Sequence, residues 1–476
     1  MTYILNENLS HQKYFEDISQ IPRASNNEKE ISDYVVAFGK NLGLETKQDS
    51  MGNVIIYKKA SAGYENHPTI IIQAHLDMVC EKNGDCDHDF QKDPLDLYIE
   101  DGFVKARGTT LGADDGYGVA YMMAILADNT LKHPPLECVF TVAEEIGLVG
   151  AQALEAKDFM GKKLINLDNN NDLFTYVTCS GGLRFHFSKE MTMEKCQLSV
   201  YRLEIKGLYG GHSGGNIHLE LGNSNKIASR VLYHLNKNFG INLINIDGGS
   251  KENAIPRECT ALFASKADFE KIKSLIQEQE KKIKKELEFT DNALIISIYE
   301  DKADEICIKD ISDKIITMFY MLPNGPRHKN IPLNVTVASQ NFGVIKTENN
   351  TIKCTYSLRG ALESYNDEGQ EVLINFCNIF GFKWEAGSRY PAWEYIKDSP
   401  MRETLKEVYK NFYGREIIEK ATHGGLECGI FKKIIPDIDI VTLGPESFDA
   451  HTPTERMNIK SFDNTYSLLV KFLEKL

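Results

Sequence analysis

The sequence has no CxxC pair: its ten cysteines are scattered. Neither a disulfide framework nor a thiolate zinc module reads from Cys80, Cys86, Cys138, Cys179 or the rest, and a reducing compartment fits best. Positive charge is also in short supply. Lysine and arginine number 54 against 68 aspartates and glutamates, a formal net charge of -14, which argues against nucleic acid or an anionic membrane as partner. No run approaches the ~20 apolar residues needed to span a bilayer. The opening segment MTYILNENLSHQKYFEDIS lacks the basic stretch and long apolar core of a secretory signal. The expectation is a soluble, cytoplasmic protein that works on small molecules.

Apolar residues make up 42% of the 476 positions, too many and over too long a chain for one compact core, so at least two domains are expected. Over 25–42, Ile31, Tyr34, Val35 and Phe38 recur at helical spacing behind polar cap candidates. Strands follow at 53–57 and 69–72, then a helix at 116–127 and strands at 136–143 and 163–167. This alternation predicts an α/β domain with a mostly parallel central sheet flanked by helices. After Ser180 charged amphipathic helices such as 267–289 lie between alternating strands. The order there is strand 197–206, helix 223–238, two strands, helix 267–289. It then begins again with strand 293–299, helix 311–321, strands 333–342 and 351–358, and helix 363–379, suggesting an α+β lid domain built from a duplicated βαββα unit. From about 389 the α/β character returns. The expected division is a catalytic domain in two parts, 1–181 and 389–476, with the lid and dimerisation-like domain 182–388 inserted.

Ionisable residues recur just past the C-terminal ends of apolar strands, where open α/β sheets place their ligand sites. His75 and Asp77 follow TIIIQA, Asp114 and Asp115 sit in RGTTLGADDGYG, Glu144 and Glu145 follow LECVFTVA, Asp168 ends KLINL, and His451 follows IVTLGPESFDA. Taken singly, each has a plainer explanation. His75 fits a hydrogen-bonded core histidine, Asp114 and Asp115 a helix cap with a first-turn acid, Glu144 and Glu145 an exposed loop pair, and Asp168 a polar turn. Their repetition at equivalent topological positions favours a metal centre, and imidazole with carboxylate donors suits zinc or harder ions such as manganese and cobalt. The cluster Asp85, Asp87, His88, Asp89 and Asp93 spans no strand end and reads as a solvated loop.

The motifs QAHLDMV, HDFQKDP, GTTLGADDGYG, TVAEEIGLVGA, NLDNNND, GLYGGHSGG, NAIPRE, HGGLECG and GPESFDAHTPTER run in order across nearly the whole chain. In these the sequence resembles the M20 family of metallopeptidases and, within it, the aminoacyl-histidine dipeptidases. The resemblance implies two divalent ions, Zn2+ first and Co2+ or Mn2+ as alternatives, with Asp114 bridging them. His75 and Asp168 would complete one site, and Glu145 and His451 the other. Asp77 would orient His75, a cis peptide would join Asp114 to Asp115, and Glu144 would be the general base. His212, in the glycine-rich loop after a strand, would stabilise the oxyanion, in its own site or in a partner's within a homodimer. Arg359, His423 and Asn253 are candidates for substrate binding; an arginine fork matches a terminal carboxylate. The implied activity is hydrolysis of unblocked L-dipeptides, Xaa-His and carnosine-like substrates among them. Deacylation of N-acyl amino acids, tripeptide cleavage, or a catalytically silent metal-binding scaffold are the competing readings.

Overall fold

The computed structural model describes residues 3–331 and 334–476; the start of the strand expected at 333 lies outside them. Two compact units divide the chain. One draws on Met1–Cys179, Trp393–Ala421 and Leu426–Leu476, the other on Ser180–Ala392 and Thr422–Gly425, and each has its own buried apolar cluster. Among the described residues no helix is long and apolar enough to cross a membrane.

The first unit is organised by a six-stranded sheet, in which β1 (Glu45–Gln48), β2 (Val54–Lys58), β3 (Ile70–His75), β4 (Leu136–Thr141) and β5 (Lys163–Asn166) are joined by Asp439–Thr442. The spatial order is β1-β2-β4-β3-β5 and then Asp439–Thr442. From β4 onward all neighbours are parallel, while β1 and β2 form an antiparallel margin. Every residue of β3 and β4 is buried, as expected of central parallel strands covered on both faces. Helices α2 (Lys29–Asn41) and α3 (Ala113–Ala127) pack on this sheet, and α1 (Ser10–Ile18) packs on α3. From Tyr117 to Leu126, α3 is buried at every position, which marks it as a core helix rather than an amphipathic surface one.

In the second unit, β6 (Gly181–Glu190), β7 (Ser199–Lys206), β8 (Ile241–Gly248), β9 (Cys259–Ser265), β10 (Ile295–Asp301), β11 (Val335–Glu348), β12 (Thr351–Gly360) and β13 (Lys383–Tyr390) form one sheet. Their spatial order is β10-β7-β9-β8-β11-β12-β6-β13, with Gly325–Asn330 pairing β11. The order mirrors itself about the β8/β11 seam. With helices α4 (Ser224–Phe239), α5 (Phe269–Glu286), α6 (Lys309–Met321) and α7 (Glu363–Phe380), one half runs β7-α4-β8-β9-α5-β10 and the other β6-α6-β11-β12-α7-β13. The duplication is therefore present but interleaved. The strand expected to open the second copy pairs with β7 as β10 and closes the first copy, whereas the opening strand is β6, which lies in sequence before the whole first copy. Order along a chain cannot reveal such pairing, because the partner of β6 is β12.

Ile72 has no exposed surface and sits mid-strand in β3. Ile72→Ala should lower stability by about 2–5 kcal/mol through lost burial and a residual cavity, seen as a reduced urea midpoint with an unchanged denaturant slope.

Candidate active site

The parallel strands β3, β4, β5 and Asp439–Thr442 point the same way, so the loops that leave their C-terminal ends share one edge of the sheet. His75 closes β3 with 1% exposure. Its Nδ1 lies 3.0 Å from the Asp77 carbonyl oxygen and 3.5 Å from Asp77 Oδ1. That arrangement places a proton on Nδ1, while Nε2 lies 3.2 Å from Asp114 Oδ1; burial alone would lower His75, but Asp114 and Asp77 raise it well above the ordinary imidazole range. Asp77 also fixes the next loop: its Oδ1 accepts the Glu144 N–H at 3.0 Å, and its Oδ2 accepts the Glu145 N–H at 3.2 Å and the Ser25 hydroxyl at 2.7 Å. Burial alone would raise the Asp77 carboxyl, but these bonds and His75 hold it below the ordinary range.

Asp114 precedes the regular part of α3. Gly112 has φ +65, and a Cβ there would lie 2.5 Å from an Arg23 nitrogen, so only glycine allows the turn. The Asp114–Asp115 peptide is cis. Asp115 turns back into the core, where its Oδ2 accepts the His75 N–H at 3.3 Å. Asp114 stands between two imidazoles, with Oδ2 3.4 Å from His451 Nε2, which itself lies 2.9 Å from Glu145 Oε1.

Three overlapping groups result, His75–Asp114–Asp168, His75–Glu144–Glu145 and Asp114–Glu145–His451, whose ligand atoms within each group lie within 4.8 Å of one another. Among the described residues no lysine or arginine pairs with Asp114, Glu144, Glu145 or Asp168. Burial, reinforced by neighbouring carboxylates, pushes Glu144 and Asp168 well above the ordinary carboxylate range. His451 is carried up to about 11 by its hydrogen bonds to Asp114 and Glu145, against the opposing effect of burial. These acids crowd together with no lysine or arginine paired to them among the described residues, and imidazole nitrogens with carboxylate oxygens are a donor set that suits divalent cations of the zinc, cobalt or manganese type.

Three supporting residues escaped the sequence reading. Glu427, buried behind the site, accepts a hydrogen bond from Gln73 Nε2 and another from Thr141 Oγ1 at 2.7 Å, and Gln73 in turn accepts from Asn166 at 2.7 Å. The network ties together the ends of β3, β4 and β5, and burial pushes Glu427 up to about 7. Arg23, 2% exposed, donates to the carbonyls of Leu76, Asp77 and Gly112. Glu455 receives the N–H groups of residues 111–114; burial raises it to about 7 against the pull of these amides. All three act on main chain or on other polar groups, so no pattern of residue types announces them. The available signals are that Glu455 shares its loop with His451 and that Glu427 stands with His423 in HGGLECG.

The other sequence candidates lie in the second unit. His212 Nδ1 accepts the N–H groups of Gly214 at 3.3 Å and Gly215 at 3.0 Å, which leaves the ring proton on Nε2. His212 pairs across a short ladder with Ala254, next to the exposed Asn253, whose carbonyl accepts the Ser213 N–H at 2.8 Å. Arg359 is 9% exposed and donates to the Tyr390 hydroxyl at 2.7 Å. Its cross-strand neighbour is Ser339, whose hydroxyl lies 2.6 Å from His423 Nε2, while Ser180 Oγ lies 2.8 Å from Nδ1. Burial, and then the charge of Arg359, depress His423 to about 3.

The sequence pattern of peptidase family M20/M25/M40 matches residues 71–475. The cytosol non-specific dipeptidase of Escherichia coli (strain K12) is 36% identical over 469 residues, 97% of this chain and 96% of that protein. The crystal structure of aminoacylhistidine dipeptidase from Vibrio alginolyticus superposes with a TM-score of 0.85 at 33% identity, covering 98% of this chain and 96% of that one. Human carnosine dipeptidase 1 shares the fold, with a TM-score of 0.53 at 12% identity over 98% of this chain and 97% of that one. The match over most of the length, together with these relatives, establishes that the chain belongs to peptidase family M20/M25/M40.

Proposed function

We propose that this peptidase hydrolyses unblocked L-dipeptides, Xaa-His and carnosine-like ones among them, in the cytosol and with two divalent ions, zinc first. The carrying observation is the set of overlapping donor groups that share His75, Asp114 and Glu145. His75, Asp114 and Asp168 would hold one ion, and Asp114, Glu145 and His451 the other. When bound, such ions supply Lewis acidity, making a water nucleophile available near neutral pH and polarising the scissile carbonyl.

Glu144 takes the proton from the attacking water and later gives it to the leaving amine. Its environment suits a base: burial and the neighbouring acids make its carboxylate hold a proton more strongly than an exposed glutamate does. The Asp77 carboxylate keeps Glu144 and Glu145 apart in role by fixing both backbone amides, so that one side chain serves as ligand and the other as base. His212, with its proton on Nε2, is a hydrogen-bond donor for the tetrahedral oxyanion. Arg359 binds the substrate's terminal carboxylate. His423, kept uncharged by burial and by the charge of Arg359, lies next to that carboxylate-binding arginine, and Asn253 adds a polar contact next to the His212 turn.

Glu144→Ala is expected to lose at least a hundredfold in kcat while two ions per chain remain by elemental analysis. The assay compares carnosine, alanyl-histidine, alanyl-alanine, a tripeptide and N-acetyl-alanine. Preference for the tripeptide or for N-acetyl-alanine would refute the dipeptidase reading.

Arg359→Ala should raise KM for alanyl-histidine by one to two orders of magnitude, about 1.4–2.7 kcal/mol of binding, and leave KM for the corresponding amide almost unchanged.

Because His423 is depressed to about 3, it is neutral from pH 5 to 9, so His423→Gln should leave the pH profile of kcat/KM unmoved across that range. The same depression makes the unfolded chain the stronger proton acceptor below about 6.5. Stability from this residue is thus present above 6.5 and is lost as pH falls toward 3, a loss that the glutamine variant should lack in acid-unfolding curves.

A further inference from the structure

We propose that Glu455 is a positioning residue for one half of the metal centre, locking the hairpin that carries His451 onto the main chain that carries Asp114. The inference rests on the two-ion reading above.

Strands Ser447–Phe448 and Arg456–Asn458 form an antiparallel hairpin, and Arg456–Asn458 pairs in turn with Phe103–Ala106. His451 sits near the tip, in the left-handed region at φ +66, with its side chain 46% exposed. At the base of the same loop Glu455 is 3% exposed. Its Oε2 accepts the N–H groups of Leu111 at 2.7 Å and Gly112 at 2.9 Å; its Oε1 accepts those of Ala113 at 2.9 Å and Asp114 at 3.4 Å.

Four consecutive amides thus converge on one carboxylate, and both its oxygens act only as acceptors. A neutral glutamine has the same shape but would turn an NH2 group against two N–H donors. The arrangement therefore needs an anion, and its counter-charge is at hand. Arg23 grips the other side of the same loop through the Gly112 carbonyl and reaches the loop of His75 through the carbonyls of Leu76 and Asp77. One loop is held by its N–H groups and its carbonyl from opposite sides.

The two halves of the centre depend on this brace unequally. His75 and Asp168 leave buried parallel strands whose pairing does not involve Glu455. His451 hangs from an exposed turn, and the buried connection between that turn and Asp114 is Glu455. Loss of the anion should release the Asp114–Glu145–His451 half and spare the other.

The test is a titration of metal-free protein with cobalt(II) at pH 8, read by the visible absorbance of coordinated cobalt, with bound metal counted by elemental analysis and folding checked by urea unfolding. The unaltered protein should take up two ions. Glu455→Gln should bind one ion as tightly as before and the second at least tenfold more weakly, in the range expected for outer-shell partners, matching His451→Ala rather than His75→Ala. Glu455→Asp, which keeps the charge at shorter reach, should retain more affinity for the second ion than the glutamine variant does; if side-chain volume were what mattered, glutamine would be the better replacement. Should the glutamine variant fail to fold, the aspartate variant carries the test, with the second ion weakened and the first unchanged. A second affinity within twofold of the unaltered protein, or equal weakening of both ions, overturns the inference. Uptake of fewer than two ions by the unaltered protein would instead sink the dinuclear reading beneath it.

Discussion

Carboxylates that crowd together out of water repel one another, and that repulsion strengthens as the surroundings become less polar. Asp114, Glu144, Glu145 and Asp168 meet with only imidazoles between them, and the first unit is built to hold them there. The means is rigid backbone. Buried parallel strands deliver three of the loops, and further carboxylates grip the amides at their turns: Asp77 those of Glu144 and Glu145, Glu28 that of Ala143, and Glu455 those of residues 111–114. Each grip is an anion satisfying main-chain donors that would otherwise be buried unpaired. The backbone that carries the proposed ligands is therefore fixed by the protein's own hydrogen bonds.

What the residues reveal unaided follows from this division of labour. The strands of the first unit are legible because a strand covered on both faces must be apolar throughout, as Ile70 to Ile72 are, and the proposed ligands are legible because their side chains carry the donor atoms. The gripping residues work through peptide groups that every amino acid shares. Glu455 thus looks like any loop glutamate until the fold brings residues 111–114 against it, and Arg23 like any surface arginine until its burial is seen. His423 illustrates the converse: the sequence offers an imidazole, while its neutrality comes from burial and from the charge of Arg359, which lies far from it along the chain. The interleaved halves of the second unit were hidden for the same reason, since β6 and β12 pair across a separation that contains the entire first copy.

That separation between sequence order and spatial order has a temporal side. On the ribosome, strands β3, β4 and β5 and the loops of His75, Asp114, Glu144, Glu145 and Asp168 emerge long before Asp439–Thr442, the strand that pairs with β5. His451 and Glu455 come later still. A nascent chain can thus gather most of the proposed centre well before its last imidazole, His451, is made. A nascent chain released before residue 451 would carry the donors of the proposed His75–Asp114–Asp168 group without all those of the Asp114–Glu145–His451 group.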